Sequence, residues 1–365
     1  MMSWSPTTSR TAGLALVRLW FEPAWRTSPQ GPQIRARLLE MLADEDDVQR
    51  LRAAEVVLLL GEESPEPDLT LIRSRLEVEA NPYVAAVLIT RLSKLRFTYP
   101  EKVDAVLAYV VGRGPWTSIL APSGSSEDND TARVLVNLLL WLAFRRQTPA
   151  AIQTVSSWSA SPTVSEASRW SLHEIRDWLA LPTEDEEVRR RAFFFAQTAA
   201  SSLASQIDGE TNKERISLAY HSADALVHAV YFASGAYGDD GEMPVAPPVG
   251  FAEEALPLLK VLAAFRHPAI VHYMVQTASH LASVDPKAAF DVVHCAVRPD
   301  EPYAYDSLAA GATVVLIERY LAEYRDLVVA DQNLLTQIRT VLNAFAKAGW
   351  PSAVSLSYRL GAVFR

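Results

Sequence analysis

Apolar residues recur along this chain at helical spacing, and the stretch from Asn81 to Leu92 shows the pattern most plainly. It opens with a small polar residue and a proline, whose fixed φ and missing N–H suit the first turn of a helix. Val84, Val87, Leu88 and Leu92, with the aliphatic stem of Arg91, then share one face, which predicts a helix from Pro82 with that stripe turned inward. Ser161-Pro162-Thr163-Val164 and His267-Pro268-Ala269-Ile270 repeat the start. Glu45-Asp46-Asp47-Val48 and Asp185-Glu186-Glu187-Val188 have acids in place of the proline, and negative charge suits the positive end of a helix dipole. Counted at Val48, Val84, Val164, Val188 and Ile270, the starts are separated by 36, 80, 24 and 82 residues. Three of these intervals lie near one or two periods of a two-helix repeat of roughly 40 residues, and the interval of 24 does not.

The same periodicity predicts helices over 10–21, 32–43, 46–61, 67–79, 82–96 and 100–112, separated by short connections carrying Pro, Gly or acids. Trp20, Phe21 and Trp25 form an aromatic cluster suited to capping the open end of a repeat array. A long polar insertion with a lone tryptophan, Trp116, occupies 113–130. Asp130 or Thr131 should cap the next helix, whose Val134, Leu135, Leu138, Leu139, Trp141 and Leu142 require burial almost all round. Helices over 148–159, 162–179 and 185–207 follow, and His221, Asp224 and His228 line one face of a further helix. A Pro- and Gly-rich stretch at 236–250 is the best boundary between sub-arrays, before helices over 251–265, 268–284, 286–297, 303–325, 331–347 and 351–363. No segment alternates with period two between turn signals, so the expected class is all-α, divided into 1–112, 131–235 and 251–365 around the two interruptions.

Leu51-Arg52-Ala53-Ala54-Glu55-Val56-Val57-Leu58, following Asp46-Asp47, and the Asn81 stretch resemble the second helices of HEAT repeats, in which Asp or Pro, then Val, then Arg and paired alanines mark the inner helix. The resemblance is clear over residues 32–96 and loose to 284. It implies a right-handed α-solenoid of antiparallel helix pairs. HEAT-like chains serve as scaffolds, adaptors, carriers and occasionally enzymes, so the resemblance narrows the fold more than the function.

At 365 residues the chain exceeds the size at which one compact core stops growing, so either two domains or an elongated array is expected. With 49% apolar and 21% charged residues the chain reads as an ordinary folded one. The single cysteine, Cys295, excludes an internal disulfide and a thiolate zinc cluster within one chain and suits a reducing cytosol. No apolar run reaches the ~18 residues of a membrane span, and no secretory leader stands at the N-terminus, so a cytoplasmic location without membrane contact is expected. The net charge is −9. Residues 1–180 carry 19 basic and 21 acidic groups, and 181–365 carry 15 and 22, the opposite of what a nucleic-acid binder needs.

Motifs for nucleotide binding, metalloprotease chemistry or a nucleophile elbow are absent. His221 and His228 lie about two turns apart, roughly 10 Å, too far to share one ion readily. His267, His272, His280 and His294 beside Cys295 read as hydrogen-bond partners between helices. Neither a metal nor a cofactor is expected. Arg189, Arg190 and Arg191 follow Asp185, Glu186 and Glu187 at i to i+4, which predicts a solvated, self-neutralised helix start. The leading functional expectation is a non-catalytic scaffold whose inner helices present Arg52, Arg91, Arg169 and Arg190, with Trp116, to a protein partner. Two alternatives are a sensor segment of a bacterial antiphage-type multidomain machine, and a HEAT-like DNA glycosylase using Trp158, Trp170, Trp178 and Asp177.

Overall fold

The structure is a computed structural model, and it describes residues 8–61, 69–111, 130–237, 246–297 and 307–363. Among these residues every regular element is helical and no strand occurs. The chain divides into two compact units, one of residues 1–156 with 164–171 and one of residues 157–163 with 172–365. The Pro- and Gly-rich stretch at 236–250 therefore lies inside the second unit.

The first unit contains α1 (Thr8–Phe21), α2 (Pro23–Arg26), α3 (Gly31–Leu42), α4 (Asp47–Glu55), α5 (Thr70–Val78), α6 (Pro82–Ser93), α7 (Pro100–Val110) and α8 (Asp130–Trp141). Helices α9 (Pro149–Ala160) and α10 (Glu166–Glu174) contribute to both units. The starts read from sequence are built as expected at α4 and α6. Asp46 accepts from the Val48 N–H at 3.0 Å, and Asn81 accepts from Tyr83 at 2.9 Å and Val84 at 3.3 Å. The apolar stripe is buried at Val84, Leu88 and Leu92.

Helices two apart in the chain run side by side and in the same direction. Helix α6 packs on both α4 and α8. The starts of α4 and α6 are joined where Asn81 Nδ2 donates to Asp47 Oδ2 at 2.7 Å. The start of α8 meets α6 where Thr131 Oγ1 donates to the Pro82 carbonyl at 2.5 Å, and the far ends meet where the rings of Phe97 and Trp141 lie 5.0 Å apart, edge to face. Helix α7, which lies between them in sequence, packs on α5 and on the turn over Leu142–Arg146.

In the second unit, α11 (Arg176–Leu179), α12 (Glu186–Ile207), α13 (Lys213–Ala233), α14 (Phe251–Leu262), α15 (Pro268–Leu281), α16 (Pro286–Ala296), α17 (Ser307–Glu323), α18 (Arg325–Ala330), α19 (Gln332–Lys347) and α20 (Pro351–Val363) form two rows. One row is α12, α14, α16 and α19, and the other α13, α15, α17 and α20. Contacts of α12 with α13, α15 with α16 and α19 with α20 join the rows. Parallel register again shows in paired links. Lys287 reaches Asp331 at 2.5 Å and Asp291 meets Gln337 at 3.0 Å between α16 and α19. Between α13 and α15, Tyr220 packs on Phe265 and His228 on Tyr273.

Three sequence expectations need correction. Ser161-Pro162-Thr163-Val164 does not open a helix: Val164 is 61% exposed, and the helix begins at Glu166. Its start is set instead by Ser165, whose Oγ accepts from the Ser168 N–H at 3.1 Å while its own N–H donates to Ser168 Oγ at 3.0 Å. The helix expected over 46–61 ends at Glu55 and is followed by a tight turn over Val57–Leu59. Arg189 is not paired with Asp185 on the surface. It is fully buried, donating to the carbonyls of Leu181 at 3.1 Å and Val249 at 2.6 Å, and so ties two loops to α12. Arg190 and Arg191 do pair with Glu186 and Glu187, at 2.6 and 3.2 Å.

Candidate functional site

The arginines expected from sequence to bind a partner differ in their surroundings. Arg52 is half-buried, its guanidinium donating to the Arg10 carbonyl. Arg91 is half-buried too, with Nε shielded and without a hydrogen-bond acceptor. Arg169 is half-buried on α10. Arg190 is exposed but belongs to the second unit and is held by Glu186. Trp116 lies outside the described residues. Of the aromatic cap, Trp20 is buried and donates to the Leu59 carbonyl at 3.0 Å, whereas Phe21 and Trp25 stay substantially exposed.

A cleft of about 530 Å³ opens between α13 and the start of α15, lined by Lys213, Ser217, Tyr220, His221, Asp224 and His267. Asn212 fixes the start of α13 by accepting from the Glu214 and Arg215 N–H groups at 2.9 and 3.3 Å. The polar triplet on that helix splits in two. His221 faces the cleft, whereas His228 turns away, its Nδ1 3.3 Å from Asp224 Oδ2 and its ring 4.1 Å from Tyr273. The bond from Asp224 raises the His228 pKa against the opposing effect of burial. Asp224 Oδ1 is shielded from solvent and has no donor. Among the described residues the cleft shows no hydrogen-bonded nucleophile and base. Of the residues a glycosylase reading needs, Trp158 is buried, and Asp177 sits on the surface beside Arg176 at 3.1 Å.

The surface with binding chemistry lies where α6 and α8 end together in the first unit. Phe97 is 61% exposed and makes its edge-to-face contact with Trp141. The Arg96 guanidinium lies 4.3 Å from the Phe97 ring centre and 5.4 Å from that of Trp141, a cation–π arrangement over both rings. Arg96 also donates to the Ser93 carbonyl at 2.8 Å, which satisfies the end of α6. Beyond Trp141 the helix widens into a turn over Leu142–Arg146, closed by Gln147 at φ 55°, and leaves Arg145 and Arg146 exposed. Lys94 is exposed as well. Residues 80–100 and 131–165 hold Arg91, Lys94, Arg96, Arg133, Arg145 and Arg146 and no acid, while α7, which starts at this end, adds exposed Glu101 and buried Asp104, the latter accepting from the Ala150 and Ala151 N–H groups at 3.0 and 2.8 Å. Two sequence signals could have found this edge, the acid-free stretches and an aromatic, Phe97, in the connection after α6. The 44-residue separation of Phe97 and Trp141 conceals their contact.

No family model, no curated protein and no solved structure matches this chain. Among the described residues, no helix is long and apolar enough to cross a membrane.

Proposed function

We propose that the chain is a non-catalytic, cytoplasmic scaffold, a right-handed α-solenoid of HEAT-like helix pairs, that binds an acidic protein segment carrying an apolar side chain. The observation that supports this reading is exposed Phe97 packed on half-buried Trp141 beneath Arg96, on a locally basic edge of an acidic chain. Trp, Arg and aromatic side chains dominate binding hot spots, because they bury much area for little conformational entropy. The few cations suit carboxylates on a protein better than a nucleic-acid backbone, which needs many cations to release its counterions. The Asp47 to Asn81 link, which joins two helix starts one repeat apart, supports the repeat reading.

The test is selection of a random-peptide display library on the full chain. Enriched peptides should combine Asp or Glu with an aromatic or large aliphatic residue. Their binding should fall about tenfold or more, the ~2 kcal/mol of a hot-spot side chain, in Phe97→Ala, and clearly in Arg146→Glu. Enrichment without acids, binding indifferent to both changes, or tighter, salt-sensitive binding to a DNA duplex would overturn the reading.

A further inference from the structure

We propose that Asp291, His294 and Cys295 form a binding site for a borderline-soft divalent metal ion of the zinc type. The three lie at i, i+3 and i+4 on α16, so one turn carries them on one side of the helix. One ligand atom from each falls within 4.8 Å of the others, and all three side chains are half-buried, reachable by an ion yet partly shielded from water. The donor set of carboxylate oxygen, imidazole nitrogen and sulfur suits zinc and its neighbours. Calcium and magnesium are disfavoured, because they require oxygen ligands. Three protein ligands leave a fourth tetrahedral position for water or an external ligand.

The surroundings supply both support and a competitor. Gln337, 8% exposed on α19, donates from Nε2 to Asp291 Oδ1 at 3.0 Å, and such a bond orients a ligating carboxylate. Lys260 on α14 donates to Asp291 Oδ2 at 2.5 Å. Its side chain is 54% exposed, so the ammonium can return to water when an ion arrives, and an ion pair this open is weak. Metal binding here exchanges that pair for bonds to thiolate and imidazole and releases the thiol proton to solvent. The site is independent of the basic edge on the first unit.

Cobalt titration of the full chain tests the assignment, because a cysteine thiolate on Co²⁺ gives a charge-transfer band in the near ultraviolet. The band should saturate at one equivalent, vanish in Cys295→Ser and weaken in His294→Ala. Gln337→Leu should lower affinity about tenfold, the usual effect of removing a group that orients a ligand. Lys260→Met should raise affinity by removing the competing cation. Cys295 is the only cysteine in the sequence, so its alkylation reports on this site alone. Zn²⁺ should slow the alkylation, and a chelator should restore the rate. Absence of the band, its persistence in Cys295→Ser, or an alkylation rate indifferent to excess Zn²⁺ would overturn the proposal.

Discussion

Replacing Glu79 tests the internal logic of the first unit. Its carboxylate is completely buried and holds three groups from three elements. Arg50 on α4 donates to both oxygens at 3.0 Å, Arg75 on α5 at 3.0 and 2.6 Å, and the N–H of Asn81, which caps α6, at 3.0 Å. Truncation to alanine leaves two guanidinium groups, on side chains only 11% and 17% exposed, facing the vacated space. Removing one partner from such a buried set costs ~3–5 kcal/mol. Arg50 keeps Asp47 and the carbonyls of Asp44 and Glu45, so the lower end, about 3 kcal/mol, is expected for Glu79→Ala. Glu79→Gln, which turns one acceptor into a donor aimed at a cation, should cost about 2 kcal/mol.

The pH dependence supplies a second readout. Burial alone would raise the Glu79 pKa, but the bonds from Arg50, Arg75 and the Asn81 N–H overrule it and hold the group below the ordinary 4.5. A carboxylate with a depressed folded pKa contributes stability that is fully present above its unfolded value and is lost as pH falls through the folded value. Urea unfolding of the wild type should therefore lose stability on acidification below 4.5 more steeply than that of Glu79→Gln. Hydrogen exchange should place the weakening in α5 and the start of α6. A cost under about 1 kcal/mol for Glu79→Ala, or parallel acid profiles for wild type and Glu79→Gln, would refute the argument.

Two further outcomes concern the second unit. Arg189→Met should cost about 1–3 kcal/mol in urea unfolding, because the Leu181 and Val249 carbonyls both lose the donor that ties their loops to α12; hydrogen exchange should rise at 246–250. His228 titrates above its ordinary 6.5 beside Asp224, so its stabilising contribution is complete below 6.5 and is lost as pH rises through the raised folded value. Thermal unfolding of the wild type should weaken across that window relative to its value at lower pH, and His228→Gln should remove that component. A flat wild-type profile would sink the assignment.

How much of this was legible in the sequence depended on whether a feature is local. The stripe through Val84, Leu88 and Leu92 and the caps at Asp46 and Asn81 are set by residues within one turn, and the structure builds them as read. Arg189 was also legible but misjudged. Spacing of i to i+4 fits all three arginines equally, yet each step rotates the helix by about 100°, and Arg189 shares its face with buried Ala192, Phe193 and Ala196. Asp291, His294 and Cys295 are local too, an Asp-x-x-His-Cys run within one turn of α16. The pairing of Glu79 with Arg50, 29 residues away, and of Phe97 with Trp141 depends on how helices two apart align, which no local spacing encodes.

That alignment also explains how an acidic chain comes to have a basic edge. Acids favour helix starts and cations favour helix ends, each by the helix dipole. In a lone helix the preference is a small term. When α4, α6 and α8 run parallel, it places Asp46, Asp47 and Glu79 near one edge, where Arg10, Arg50 and Arg75 neutralise them. The opposite edge gathers Lys94, Arg96, Arg145 and Arg146 from the ends of α6 and α8, against exposed Glu101 at the start of α7. A partner approaching there meets charge first and rings second, and these two contribute differently. Rim charges act mainly on the association rate and its salt dependence, whereas a buried aromatic anchor sets the dissociation rate. For any peptide that binds this edge, Arg146→Glu should thus slow association and flatten its salt dependence, and Phe97→Ala should speed dissociation at an almost unchanged association rate. Surface plasmon resonance separates the two, and the reverse assignment of rates would mean that the rings support the fold while the charges make the contact.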